Sequence, residues 1–157
     1  MNSLIHQRVE LARQGRNPTV LCQMPSGWAV MADIQILSGY CILLADPVVP
    51  SLNDLSGDAR AQFLRDMTLI GDALLEVTGA VRINYEILGN SDPALHAHIL
   101  PRFDAEPEEH RAGPAWFYPL EKMPRFDPAH YAALMEKIRA AVLRRLAPPA
   151  SDAADKL

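Results

Sequence analysis

The segment DPALHAHILPRF, residues 92–103, is the most informative part of the sequence. It places His96 and His98 on either side of a single residue in an apolar run. Side chains alternate between the two faces of a β-strand, so both histidines are expected on the same face. The segment therefore predicts a strand that carries two neighbouring histidines on one face and an apolar surface on the other. The residues expected on the apolar face are Leu95, Ala97 and Ile99.

The histidine pair alone is compatible with three roles. The strand could simply face solvent, or the H-x-H pattern could bind a metal ion, although no neighbouring pattern supplies the third ligand that a metal needs. The loop directly upstream favours the third role, in which a histidine is a nucleophile. Gly89, Asn90 and Ser91 can present backbone and side-chain donors to an anion. A neutral imidazole beside such a loop can attack phosphorus.

Outside this stretch, the sequence alternates short apolar segments with longer amphipathic ones. Capping residues predict helices over residues 3–14, over residues 57–77 and from Asp127 onward. Together with the strands, they predict an α+β fold in which helices pack on an antiparallel sheet. We expect a single domain over residues 1–147 and a disordered tail over residues 148–157. The five predicted strands are NPTVLCQMP, GWAVMADI, SGYCILLADP, AVRINYEIL and ALHAHIL.

Composition restricts the possible partners. The 157 residues are 49% hydrophobic and 22% charged, as in ordinary globular proteins, and the net charge of −4 argues against nucleic-acid binding. No apolar run approaches the roughly 20 residues that cross a bilayer. The first residues lack the apolar core of a signal peptide, so we expect a cytoplasmic protein. Cys22 and Cys41 are expected to be two buried thiols.

The segment GNSDPALHAHILPR resembles the signature of the histidine triad superfamily, in which histidines alternate with apolar residues as H-x-H-x-H. The resemblance extends upstream through ADIQILSGYCILLADPVVPSLNDLS and covers about residues 20–103. With RINYEILGNSDPALHAH and EPEEHRAGPAWFYP, the chain looks most like a bacterial branch often labelled diadenosine tetraphosphate hydrolase-like. The resemblance implies a homodimer whose antiparallel sheet has about five strands.

The resemblance also implies a reaction at the α-phosphate of a nucleotide, with a dinucleoside polyphosphate or a nucleoside phosphoramidate as substrate. His96 would attack phosphorus and form a nucleotidyl-histidine that water then cleaves, and His98 would lie near the phosphate oxygens. No metal site and no cofactor is implied, although a divalent metal could accompany the nucleotide. The residues that would meet the phosphates or the ribose are Asp33, Tyr40, Asn84, Asn90 and Ser91.

Two departures from the family pattern leave alternatives open. Ala94 occupies the first triad position, but it keeps the backbone carbonyl that orients the nucleophile in the family. Tyr40 replaces a histidine; it can donate a hydrogen bond to phosphate, but it carries no positive charge at neutral pH. The alternatives are a catalytically weakened nucleotide-binding module and an H-x-H metal-binding protein. Near the signature, Arg102 could approach a polyphosphate or anchor a loop, with the loop-anchoring role slightly favoured, and Trp116 is expected to be buried.

Overall fold

The computed structural model describes residues 3–147 and contains one sheet of five antiparallel strands in the order β1-β2-β3-β5-β4. The predicted α+β architecture is therefore confirmed. The tail predicted at residues 148–157 lies outside the described residues. The strands are β1 Val20–Met24, β2 Gly27–Met31, β3 Cys41–Ala45, β4 Arg82–Glu86 and β5 His96–Arg102.

The helices begin and end near the predicted capping residues. The Ser3 side chain accepts a hydrogen bond from the His6 amide at the start of the first helix, and Asp127 caps the last helix through the Ala129 amide. Gly79 ends the second helix in the left-handed conformation, with a φ of 70° that favours glycine. The helices are α1 Leu4–Arg13, α2 Gly57–Thr78, α3 Glu108–Arg111 and α4 Pro128–Leu146, with short 3-10 turns at Leu52–Asp54, Ala115–Phe117 and Leu120–Lys122.

One face of the sheet packs against α2 and α4 and forms the main hydrophobic core. Leu95, Ala97 and Ile99, in and just before β5, lie in this core, as the alternation predicted. Cys22 and Cys41 are free thiols buried in the same core, and burial raises the pKa of both. The core residues with the least exposure include Phe63, Ile70, Leu74, Leu43, Ala97, Ile99 and Ile138.

The opposite face of the sheet carries the histidines, and it too is covered. Ile5 and Val9 of α1 pack over this face at the β2 and β3 side. The segment over residues 103–123 covers it at the other side, through a second apolar cluster. His98 is only 9% exposed, so the solvent-facing interpretation of the strand does not hold for it. Within residues 3–147, no helix is long and apolar enough to span a membrane.

Candidate active site

His96 stands at the start of β5 and is oriented by the backbone. Its Nδ1 lies 2.7 Å from the carbonyl oxygen of Ala94. A carbonyl can only accept, so the ring nitrogen must carry the proton and donate it. The neutral ring then has an unprotonated Nε2, whose lone pair is free to attack. Ala94 thus supplies the orienting acceptor although it lacks a triad side chain.

His98 has the opposite arrangement. Its ring is 4.8 Å from that of His96, nearly perpendicular to it, and its Nδ1 lies 2.5 Å from the hydroxyl oxygen of Tyr40. Burial, and to a smaller extent His96, lower the pKa of His98 to about 4, so the ring is neutral at pH 7. Burial raises the pKa of Tyr40, so its hydroxyl keeps its proton. Within residues 3–147 that hydroxyl has no other hydrogen-bond partner, so we assign its proton to the bond with Nδ1 of His98. The proton of His98 therefore lies on Nε2, which is a donor.

Tyr40 enters the site through a contact that the sequence did not predict. Its hydroxyl pairs with His98, and the contact with a phosphate oxygen that the resemblance implied stays a prediction. The reason is position: Tyr40 directly precedes β3, which lies next to β5 and pairs Ile42 with His98. The ring is 4% exposed, so the tyrosine supports the histidine from within the fold.

Trp116 and Glu86 complete the surroundings of His98. The Trp116 ring meets His98 edge-on at 5.0 Å, and its indole N–H donates to the Glu86 carboxylate. Glu86 is the register partner of His98 on β4, so both side chains point to the same face of the sheet. Trp116 was expected to be buried, but it is only half-buried. One side of its ring packs on the histidine site.

The sequence did not predict Glu86 as a residue of the site, and it did predict Asn84, which stays a prediction. Asn84 lies on the same face as Glu86, but it pairs with Leu100, one step further from the histidines. Its side-chain oxygen accepts a hydrogen bond of 3.0 Å from Arg102. The alternation along β4 was the available signal, but only the register with β5 shows which of the two polar residues is beside His98.

Asn90 and Ser91, the predicted phosphate-binding residues, lie in the loop before β5. Both side chains are exposed, a few residues upstream of His96. The next residue, Asp92, accepts a hydrogen bond of 3.1 Å from the Ile5 amide. The loop is therefore attached to the first turn of α1, with its two polar side chains free to face solvent.

Asp33 lies at the rim of a small cleft between α1 and the sheet. The cleft has a volume of about 60 Å³, and Ile42 and Leu44 on its floor are the register partners of His98 and His96. Arg8 of α1 forms an ion pair with Asp33 across the rim. This cleft therefore adjoins the histidine pair. The ion pair at its rim includes Asp33, the acid that the resemblance assigned to the ribose.

A second and larger cavity, of about 610 Å³, runs along β4 on the other side of the histidines. Glu86 lines it and is also the register partner of His98, so the cavity reaches the residue that faces His98 across the strands. Its charged and polar lining residues are Arg82, Asn84, Glu86, Arg102, Asp104 and Arg111.

Arg102 holds the segment that carries Trp116, as its predicted role of loop anchor requires. Its guanidinium donates to the Glu106 carboxylate and to Asn84. It also donates to the backbone carbonyls of three residues in that segment. Burial would raise the pKa of Glu106, but the hydrogen bonds from Arg102, the Phe103 amide and Tyr118 lower it, so the pair stays charged. The carbonyls belong to His110, Arg111 and Gly113.

The metal-binding interpretation of the histidine pair needs a third ligand close to both rings. In the part of the chain from residue 3 to residue 147, no three histidine, cysteine, aspartate or glutamate side chains come together as a metal site. The H-x-H metal interpretation therefore lacks the third ligand that it needed from the start.

Comparison with known proteins identifies solved structures that share this fold. No family model matches the sequence, and no curated protein matches it. Among solved structures, a histidine triad protein from Marinobacter aquaeolei VT8 is similar at a TM-score of 0.72 and 19% identity, covering 94% of this chain and 100% of that one.

Two further solved structures agree with this similarity. A hypothetical histidine triad nucleotide-binding protein from Sulfolobus tokodaii strain7 gives a TM-score of 0.69 at 14% identity, over 88% of this chain and 92% of that one. A histidine triad protein from Sinorhizobium meliloti 1021 gives 0.68 at 20% identity, over 83% and 93%. The chain therefore has the fold of the histidine triad proteins.

Proposed function

We propose that this protein is a nucleotide hydrolase or nucleotidyl transferase that reacts at an α-phosphate through His96. The observation that supports the proposal most strongly is the pair of opposite ring tautomers. His96 donates from Nδ1 to a carbonyl and keeps a lone pair on Nε2. His98, 4.8 Å away, accepts at Nδ1 from Tyr40 and keeps its proton on Nε2. A nucleophile and a hydrogen-bond donor thus stand side by side, as attack on a phosphoryl group requires.

The reaction has two steps. The lone pair of His96 Nε2 forms a bond to phosphorus while the bond from phosphorus to the leaving atom breaks, and that atom keeps the bonding electron pair. A water oxygen then attacks the same phosphorus, gives up a proton, and returns the electron pair of the N–P bond to His96. The product of hydrolysis is a nucleoside monophosphate. His98 Nε2–H donates to a phosphoryl oxygen, where negative charge develops in each transition state.

The cleft under α1 is assigned to the nucleoside. Its walls are apolar, as a base requires, and Asp33 at its rim can accept from ribose hydroxyls. Its volume of about 60 Å³ is far below the roughly 300–1,000 Å³ of typical ligand pockets, so α1 and Arg8 must move outward when a nucleoside enters. Asn90 and Ser91, exposed beside His96, are assigned as donors to the phosphates.

The finer parts of the proposal rest on the family resemblance. They are the diadenosine tetraphosphate hydrolase-like branch, a homodimer and a cytoplasmic location. Exposed apolar side chains on α2 and along β4, which a homodimer would cover, are compatible with the second of these. They are Leu64, Leu75, Val81 and Tyr85.

Hydrolysis of two substrates tests the proposal. Purified wild-type protein should release adenosine monophosphate from adenosine 5′-phosphoramidate, from diadenosine tetraphosphate, or from both. His96→Ala should lose at least about a thousandfold in turnover, because no other group takes the place of the nucleophile. It should still bind adenosine monophosphate, as measured by calorimetry.

Two results would contradict the assignment. Wild-type protein that binds nucleotide without turning over either substrate would instead indicate the weakened binding module. A His96→Ala variant that retains more than a small fraction of the wild-type rate would exclude His96 as the nucleophile.

A further inference from the structure

Glu86 places a fixed negative charge beside the proposed donor histidine. It lies directly across from His98 in the register of β4 and β5, and side chains in such pairs are close neighbours. The indole N–H of Trp116 holds the carboxylate, and the Trp116 ring in turn packs edge-on against His98. The hydrogen bond from Trp116, whose own ring is packed against His98, therefore fixes the position of the Glu86 carboxylate.

This charge is not neutralised by a neighbouring cation. Across residues 3–147, the ion pairs within 4.0 Å involve other carboxylates, and the donor to Glu86 is a neutral indole. Arg102, which lines the same cavity, has its guanidinium bound to Glu106 and Asn84. A site built only to attract phosphates would not keep an uncompensated carboxylate here, because like charges repel most strongly where water is partly excluded.

The cavity along β4 shows which part of a substrate would meet this charge. The nucleoside is assigned to the cleft under α1, so the group on the other side of phosphorus must extend toward Glu86 and the cavity of about 610 Å³. Arg82, at the start of β4, stands four residues from Glu86, or about 13 Å along the strand. Glu86 is the charged lining residue that directly faces His98 across the two strands, so it is the one assigned to the surroundings of the leaving atom.

Resting on the proposed function, we propose that the cavity receives the leaving group and that Glu86 is a specificity-determining residue that favours amine over phosphate leaving groups. In a phosphoramidate, the P–N bond breaks as His96 bonds to phosphorus. The nitrogen takes a proton from solvent at the open cavity before the bond breaks, so it carries positive charge in the transition state. It keeps the electron pair of the P–N bond, departs as a neutral amine, and takes a second proton from water to become an ammonium cation at neutral pH. Glu86 attracts this group.

A dinucleoside polyphosphate reacts differently at the same place. The P–O bond breaks, and the bridging oxygen keeps the electron pair and adds negative charge to the departing phosphate chain. That charge develops beside Glu86, which repels it. The Glu86 carboxylate therefore stabilises the transition state of the phosphoramidate and destabilises that of the dinucleoside polyphosphate. Such a difference between transition states appears in the ratio of the two kcat/KM values.

The Glu86→Gln variant tests this inference, because it removes the charge and keeps an acceptor for the Trp116 N–H. We expect kcat/KM for diadenosine tetraphosphate to rise relative to that for adenosine 5′-phosphoramidate by about tenfold, as one unit charge a few ångströms away would require. Glu121→Gln, an exposed acid in the Leu120–Lys122 turn, changes the net charge equally and should leave the ratio unchanged.

A second variant gives an independent measurement. Trp116→Phe keeps a ring against His98 but releases the carboxylate, so the ratio should shift in the same direction by a smaller factor. Turnover of both substrates with a ratio unchanged within twofold in Glu86→Gln would overturn the inference and leave the proposed function intact. Wild-type protein that turns over neither substrate would overturn the proposed function, and the inference with it.

Discussion

The surroundings of His96 and His98 differ although the two residues share one strand, one face and one side-chain chemistry. His96 is half-buried and bound to a backbone carbonyl, while His98 is 9% exposed and bound to the Tyr40 hydroxyl. The first partner can only accept and the second donates, so the two rings carry their protons on opposite nitrogens. We infer that the hydrogen-bond partner of Nδ1, rather than the histidine itself, determines which ring attacks phosphorus and which ring donates a hydrogen bond.

Of the effects that separate the two histidines, we expect the pH dependence of stability to be the largest. Burial suppresses the protonation of His98 in the folded protein. Its pKa is lowered to about 4 in the folded protein from 6.5, so the unfolded chain takes up the proton first as pH falls. The stability that the folded protein has with His98 neutral is fully present above about pH 6.5, and it is lost progressively as the pH falls to about 4. We expect the free energy of unfolding to fall by on the order of 2 kcal/mol between about pH 7.5 and pH 5.

Urea unfolding at several pH values in that range measures this dependence. The range lies above the pH at which most carboxylates titrate, so their contribution is small. His98→Gln, which cannot be protonated, should lose most of the slope. An equal slope in the variant and in the wild type would mean that His98 is not kept neutral by burial.

Removing the Tyr40 hydroxyl should have a smaller effect and act on His98 alone. Tyr40→Phe keeps the ring but takes away the donor to Nδ1, so the His98 proton is free to occupy either nitrogen. A lost hydrogen bond of this kind costs about 0.5–1.5 kcal/mol, so kcat/KM should fall by up to about tenfold. Nitrogen NMR of the ring should show His98 changing from the Nε2–H form to a mixture of tautomers.

Tyr131→Phe is the matched control, since Tyr131 is equally buried but packs in the core against Phe126. It should leave both the rate and the His98 signals unchanged. A Tyr40→Phe variant with unaltered kinetics and an unaltered tautomer would show that the hydroxyl does not set the state of His98.

The common face of the two histidines could be predicted from the sequence because it follows from backbone geometry alone. The period of two along a strand requires His96 and His98 to point together, and the apolar residues between them require the other face to be buried. The fold followed for a similar reason, because capping residues such as Asp127 and Gly79 mark helix ends through local chemistry.

The surroundings of the histidines could not be predicted, because they depend on contacts between distant segments. Residues 87–95 connect β4 to β5 without a tight turn, so the sequence does not fix the register that brings Glu86 to His98. For the same reason, the sequence did not show that Asn84 would lie one step further along β4 than Glu86 from the histidines. Likewise, nothing local indicates that Tyr40 will meet His98, 58 residues away.

The most direct test of the contrast between the two histidines is to trap the reaction intermediate. The protein is mixed with adenosine 5′-phosphoramidate or diadenosine tetraphosphate, quenched within milliseconds under alkaline denaturing conditions that preserve phosphohistidine, and digested for mass spectrometry. We predict an adenylyl group on the peptide that contains both histidines, and fragmentation should place it on His96. The adduct should be absent in His96→Ala and present in His98→Ala, where it should form more slowly. An adduct on His98, or turnover by the wild type with no covalent adduct at any quench time, would contradict the assignment of the nucleophile.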